Sequence, residues 1–168
     1  MTALLAGIEQ SAFSVWVRES GSVWSYPSII FLHTVGLALL VGLNVAIDLR
    51  LLGVARDVPL APLARFFRIM WAGFWMNVVS GTVLLASDAN TTLRHPAFYV
   101  KIAFIAAAVT ILIRTERLLS LDDLDGPLPP VARRLAWASL TCWMGVIIAG
   151  RLMTYFAAAP ELLTRIGG

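Results

Sequence analysis

The chain has 168 residues and a formal net charge of +3, with 59% of its residues hydrophobic and 14% charged. A water-soluble domain carries about 25% charged and about 45–50% apolar residues, so this balance excludes an ordinary soluble protein and, at mean hydropathy +0.81, predicts a single lipid-embedded domain over residues 1–168. The lone cysteine, Cys142, excludes a disulfide framework and a thiolate metal site, and arginines confined between apolar runs leave no basic, aromatic surface for nucleic acid.

In chain order, the first predicted element spans about residues 3–18. Leu4, Leu5, Ile8, Ala12, Val15 and Trp16 recur at helical spacing, with Glu9, Gln10 and Arg18 elsewhere. This is the pattern of a short amphipathic helix lying in a membrane interface. Its lack of a basic start is unlike a signal peptide, and Gly21 ends it. Four apolar runs follow, at about residues 28–47 (SIIFLHTVGLALLVGLNVAI), 69–86, 97–113 and 135–156. Each approaches the ~20 residues that cross ~30 Å of hydrocarbon as a helix, and the third has room to extend past Arg114. Backbone polar groups in lipid must be satisfied within the segment, so these runs are helices. The predicted fold is all-α: an integral membrane four-helix bundle with an N-terminal interfacial helix.

The connections set an orientation. Arg50, Arg56, Arg65 and Arg68 follow the first span, and Arg114, Arg117, Arg133 and Arg134 follow the third, whereas the second connection holds only Arg94. Lys/Arg excess marks the cytoplasmic side, which predicts a multi-pass protein of a bacterial inner membrane with both termini periplasmic. Trp16, Trp24, Tyr26, Tyr99 and Tyr155 then fall near the outer interface as an aromatic belt. The segment LDDLDGPLPP reads as a turn with Asp122, Asp123 and Asp125 in solvent. Small residues that let helices approach closely form stripes at Ala38, Gly42 and Ala46, at Gly73, Asn77 and Gly81 beside Ala72, Met76 and Ser80, and at Gly145 and Ala149.

Ionisable residues within spans are costly and face a bundle interior, a partner or a cavity. Helices alternating in direction place His33, Lys101 and Arg151 in the outer half, with His95 and Asp88 at the helix ends there. Four cationic or potentially cationic groups at one level invite an anionic or metal-containing partner. Heme b fits: His33 as axial ligand, His95 as a possible second, and Lys101 and Arg151 as partners of the propionates. Lys101 and Arg151 could instead snorkel to the interface, His33 could bond a nearby oxygen, and His95 before Pro96 could serve as a helix N-cap. Asp48, at the inner end of the first span, reads as an anchor paired with Arg50 or another arginine, ahead of a proton-relay role.

The strings PSIIFLHTVGLALLVG, DLRLLG, VSGTVLLASDA, HPAFYVKIAF and GVIIAGRLMTYF together resemble an uncharacterised bacterial four-helix membrane family, a domain of unknown function, from about Trp24 to Phe156. The early histidine of the first span and the early lysine of the third, His33 and Lys101, are also remotely similar to heme-binding bacterial protoporphyrinogen oxidases and copper-resistance D-type membrane proteins. The first resemblance implies a membrane location; the second implies heme or copper at His33. The expected function is therefore a heme b-binding, cytochrome-like module exchanging electrons with a periplasmic protein or a quinone. The alternatives are a membrane anchor or assembly subunit in a homo- or hetero-oligomer, and a copper or small-solute transporter. Met70, Met76, Met144 and Met153 form no cluster by spacing, and copper favours clustered soft ligands.

Overall fold

The structure, a computed structural model, describes residues 2–54, 56–121 and 128–166, with side chains described for these except 2–4, 61, 121, 154 and 156–166. It contains α1 (Thr2–Glu9), α2 (Ala12–Glu19), α3 (Tyr26–Leu52), α4 (Leu60–Ala64), α5 (Phe66–Ser87), α6 (Ala89–Arg94), α7 (Pro96–Leu121) and α8 (Pro130–Ile166). No strand occurs among the described residues. The stretches Tyr26–Leu52, Pro62–Ser87, Pro96–Ser120 and Pro130–Met153 are long and apolar enough to cross a membrane. The chain is a multi-pass membrane protein. Its exposed bulky residues, such as Phe31, Trp75, Val79 and Trp137, are what a lipid-facing surface requires.

All four spans outrun their apolar cores. The third continues to Leu121 because Arg114 and Arg117 are exposed on α7, where their stems can lie along apolar surface with the charge outward. α3 stops at Gly53, whose φ of +96° puts it in the left-handed region; Gly53 N–H bonds Arg50 O, and Val54 N–H reaches back to Leu49 O at 2.9 Å, the six-to-one bond of a Schellman end. Left-handed backbone costs an L-residue about 1–2 kcal/mol. Gly53→Ala is expected to lower stability by about that amount, read as a lower Tm in detergent.

α3 packs extensively on both α5 and α8, and α7 packs on α8. α5 and α7, the outer members of this row, share no extensive contact. They are joined near the arginine-rich end, where Trp71 Nε1 donates to Glu116 Oε2 at 3.0 Å and α4 packs against both. The buried apolar core concentrates in the same half, around Ile47, Leu51, Phe67, Met70, Leu112 and Ala136. The half that bears the termini is built differently, and there α5 and α7 flank a cavity.

One expectation about packing changes. The stripe Ala38, Gly42, Ala46 is exposed, and a Cβ on Gly42 would meet nothing within 4 Å. α3 instead buries Gly36, Leu40, Asn44, Ile47, Asp48 and Leu51. Asn44 and Asp48 cannot face hydrocarbon cheaply, and that requirement outweighs the small-residue spacing. The stripes on α5 and α8 do form contacts: Gly73 meets Gly36, and Gly145 lies under the Phe104 ring of α7.

The N-terminal segment is two helices. Ser11 interrupts it as the N-cap of α2, with its hydroxyl accepting from Ser14 N–H at 3.3 Å. That break resets the helical phase, so Ser14 and Val17 are buried, while Ile8 and Trp16 are 46% and 42% exposed. The segment is tied to the bundle. Arg18 donates to the Ser87 carbonyl at 2.8 Å, at the C-terminal end of α5 where a cation complements the helix dipole. Glu9 accepts from Asn90 N–H at 2.6 Å. The acidic residues Asp122, Asp123 and Asp125 lie outside the described residues.

Candidate functional site

The cavity has a volume of about 300 Å3. Its back is made by His33, Leu37 and Leu40 of α3 and by Trp143 and Val146 of α8; one flank is α5, from Phe74 to Leu85, and the other is α7, from Phe98 to Ile105. Val78 of α5 and Ile102 of α7 belong to this wall and are also 39% and 47% exposed. The cavity thus opens sideways, between α5 and α7, on the apolar flank of the bundle. Its volume is at the lower end of the ~300–1,000 Å3 of small-molecule sites, and its walls are apolar with few polar groups, as such sites are.

His33 reaches this wall because it shares a face of α3 with Leu37 and Leu40, at helical spacings of four and three residues. Its Nδ1 lies 3.0 Å from Ser80 Oγ. The Ser80 hydroxyl has one hydrogen, and it is directed at the Met76 carbonyl four residues back, at 2.6 Å. Ser80 therefore accepts from His33 Nδ1–H, and the imidazole keeps its lone pair on Nε2. Tautomer and ring orientation are thus set by α5, in the manner of the outer hydrogen bonds that position metal-bound histidines. Gly81 supplies the room for the ring: a Cβ there would lie 3.2 Å from His33 Cε1.

Lys101 enters the cavity from α7, half-buried. A Cβ on Gly150 would come within 4.0 Å of its Cε, so its stem runs beside that glycine of α8. His33 and Lys101 are therefore brought to one site. His95 and Arg151 are not on its wall. His95 sits between α6 and α7, where its Nδ1 accepts from Ala97 N–H at 3.4 Å, the N-capping geometry that His95-Pro96 suggested. Arg151 is exposed. The buried stripe of α8 through Ser139, Trp143, Val146 and Ala149 points elsewhere on that helix.

Four contributors escape a reading based on charge: Ser80, Gly81, Asn77 and Trp143. The first three carry a signal, since they fall on the small and polar stripes of α5, but the same spacing also describes plain helix packing. Trp143 is 2% exposed, and its Nε1 is a buried donor with no hydrogen-bond partner among the described residues.

Toward the arginine-rich end lies a second polar group. Asn44 donates both amide hydrogens, one to Asp48 Oδ2 and one to Ser139 Oγ, each at 2.6 Å. Asp48 is 2% exposed, and the one ion pair found among the described residues is Arg18 with Glu19. The expected pairing of Asp48 with Arg50 does not form; Arg50 Nε donates to the Val58 carbonyl instead, because α3 turns Asp48 inward toward α8 and Arg50 outward to the connection. No group of three or more His, Cys, Asp and Glu that could hold a metal ion occurs among the described residues. Comparison of the chain with known protein families, curated proteins and solved structures finds no match.

Proposed function

We propose that the protein is a heme b-binding, cytochrome-like module of a bacterial inner membrane, with both termini periplasmic, that passes electrons between a quinol or quinone and a redox partner. The observation that supports this reading is His33 on the wall of an apolar cavity, with its Nδ1 3.0 Å from Ser80 Oγ and that hydroxyl 2.6 Å from the Met76 carbonyl; a proton on Nδ1 leaves the Nε2 lone pair for a ligand. A heme brings four ring nitrogens, so one histidine would be enough to hold its iron, and the residues present fit: His33 would ligate the iron and Lys101 would pair with a propionate. Bound there, the group would supply one-electron chemistry.

This chain's own residues would do the rest. Ser80 holds the imidazole against rotation and favours the tautomer that can ligate. Lys101 compensates a carboxylate that would otherwise be stranded beside hydrocarbon. Leu37, Phe74, Phe98 and Ile105, apolar residues of the cavity wall, would exclude water from the bound group. No methionine or cysteine lines the cavity, so nothing there favours the copper-transport alternative.

The test is an absorbance spectrum of protein purified in detergent from heme-sufficient cells, oxidised and then dithionite-reduced. A Soret band with sharpened α and β bands on reduction is expected; their absence would sink the proposal. Gly81→Val fills the space in front of the ring, and overpacking of this kind costs about 1–3 kcal/mol. Heme occupancy in that variant is expected to fall roughly tenfold or more, measured by pyridine hemochrome against protein.

A further inference from the structure

Among the described residues, Asp48 is the one buried acid, and it forms no ion pair with them. It lies four residues before the end of α3, ~6 Å along the helix, inside the arginine-rich half, and it is 2% exposed. The charged groups on every neighbouring element are turned away or engaged. Arg68 of α5 and Arg133 and Arg134 of α8 are exposed, Glu116 of α7 accepts from Trp71, and Arg50 of α3 bonds Val58. The polar neighbours of Asp48 are neutral: the Asn44 amide donates to it at 2.6 Å, and the Ser139 hydroxyl, which shares Asn44 as a partner, lies beside the carboxyl. Asn44 uses both hydrogens as donors, so Ser139, which accepts one of them, has its own hydrogen available for the carboxyl.

This group adjoins the cavity. Asn44 follows Leu40 of the cavity wall by four residues, and Ser139 precedes Trp143 of that wall by four, ~6 Å along each helix. Trp143, whose Nε1 is buried with no hydrogen-bond partner among the described residues, is the wall residue nearest Ser139 along α8. A carboxyl fixed by neutral donors, without a cation, next to a site that changes charge, has the features of a proton carrier. The bond that Asn44 donates could be accepted by an amide oxygen as well, so anchoring to Asn44 does not by itself call for an acid.

We propose that Asp48, held by Asn44 and Ser139, is a proton-binding site that loads from the arginine-rich side when an electron arrives in the cavity. Proton binding at Asp48 stands by itself; its coupling to the cavity rests on the redox reading above. Each electron delivered by a quinol or a redox protein adds one negative charge to an apolar site. Uptake of one proton, Asp48–COO− + H+ → Asp48–COOH, cancels it, and reoxidation returns both.

Two readouts separate these layers. The first is infrared spectroscopy of the protein in lipid vesicles, titrated over pH, comparing wild type with Asp48→Asn. A protonated-carboxyl C=O band present in the wild type and lost in Asp48→Asn is expected, with a shifted band in Ser139→Ala, which keeps the acid and removes a donor. If Asp48→Asn does not fold, the Ser139→Ala shift carries the test. Identical titrations in all three proteins would overturn the proposal, as would a band that responds to sodium and not to pH. The second readout is the midpoint potential of bound heme against pH, sloping in the wild type and flat in Asp48→Asn at unchanged Soret position. Equal slopes would overturn the coupling. A wild type without a Soret band fails the redox reading alone, and the infrared titration still decides Asp48.

Discussion

His33→Ala is expected to strip heme from the purified protein, removing the Soret band and the reduced α and β bands, while the chain still inserts and elutes as a folded species. With Nδ1–H given to Ser80, the imidazole offers the Nε2 lone pair, and no other histidine lines the cavity to replace it. Ser80→Ala is a sharper probe of the same geometry. It leaves the ligand in place and removes the acceptor for Nδ1–H, and loss of such outer partners typically weakens metal binding by about 10–100-fold. Heme is expected to bind that variant at correspondingly higher concentration in titration, with an altered reduced spectrum from the loosened ring. Lys101→Met should instead preserve the band positions and weaken binding, since it removes a charge partner and leaves the iron ligand. An unchanged redox spectrum in His33→Ala would overturn the assignment of His33 as ligand, whatever the other two variants do.

The membrane bundle was legible in the sequence because its determinant is local. A run of ~20 apolar residues has one backbone solution in lipid, and the cores of all four spans lie inside the helices observed. The candidate site was read from the sequence by depth alone, and depth carries no direction. Counting along helices that alternate in sense put His33, His95, Lys101 and Arg151 at one level, but level does not say which way a side chain faces. His33 and Lys101 share the cavity, Arg151 lies on the exposed side of α8, and His95 caps α7. Azimuth depends on which face of each helix is buried, a property of the pairing of helices and not of any one of them. Asp48 makes the same point. Its sequence neighbour Arg50 looked like its partner, yet two residues on a helix are ~200° apart, so an inward Asp48 sends Arg50 outward. Its true partners include Ser139, 95 positions from Asn44 in sequence, and nothing local announces that contact. The helix break missed at Ser11 is a single-residue capping event, and the short α6 in the second connection makes no side-chain cap, so both signals are weaker than the apolar pattern around them.

The α3–α5 crossing makes the largest expected stability effect. Gly36 and Gly73 face each other there: a Cβ on Gly36 would sit 2.9 Å from the Gly73 carbonyl and 2.6 Å from Asn77 Nδ2, and a Cβ on Gly73 would sit 2.8 Å from the Gly36 carbonyl and 3.1 Å from Leu40 N. The obstacles are mostly backbone, which cannot rotate aside as a long side chain can, so either alanine must push the two helices apart. In lipid no hydrophobic force between helices compensates that separation, because the packing contact is itself the attraction. Overpacking costs about 1–3 kcal/mol, and the separation would also pull Ser80 from His33, since both lie toward the terminus-bearing end of the same helix pair. Gly36→Ala and Gly73→Ala are each expected to lower stability by about 2 kcal/mol and to lose heme together with stability, measured by thermal unfolding in detergent and by the Soret absorbance. Gly42→Ala supplies the internal contrast. It has open space around its Cβ, and replacing a mid-helix glycine by alanine favours the helix by about 0.5–1 kcal/mol. Its Tm should hold or rise with heme unchanged. Should Gly42→Ala destabilise as strongly as Gly36→Ala, the face of α3 carrying Ala38, Gly42 and Ala46 would be a packed one, and the arrangement of α3 between α5 and α8 would have to be redrawn.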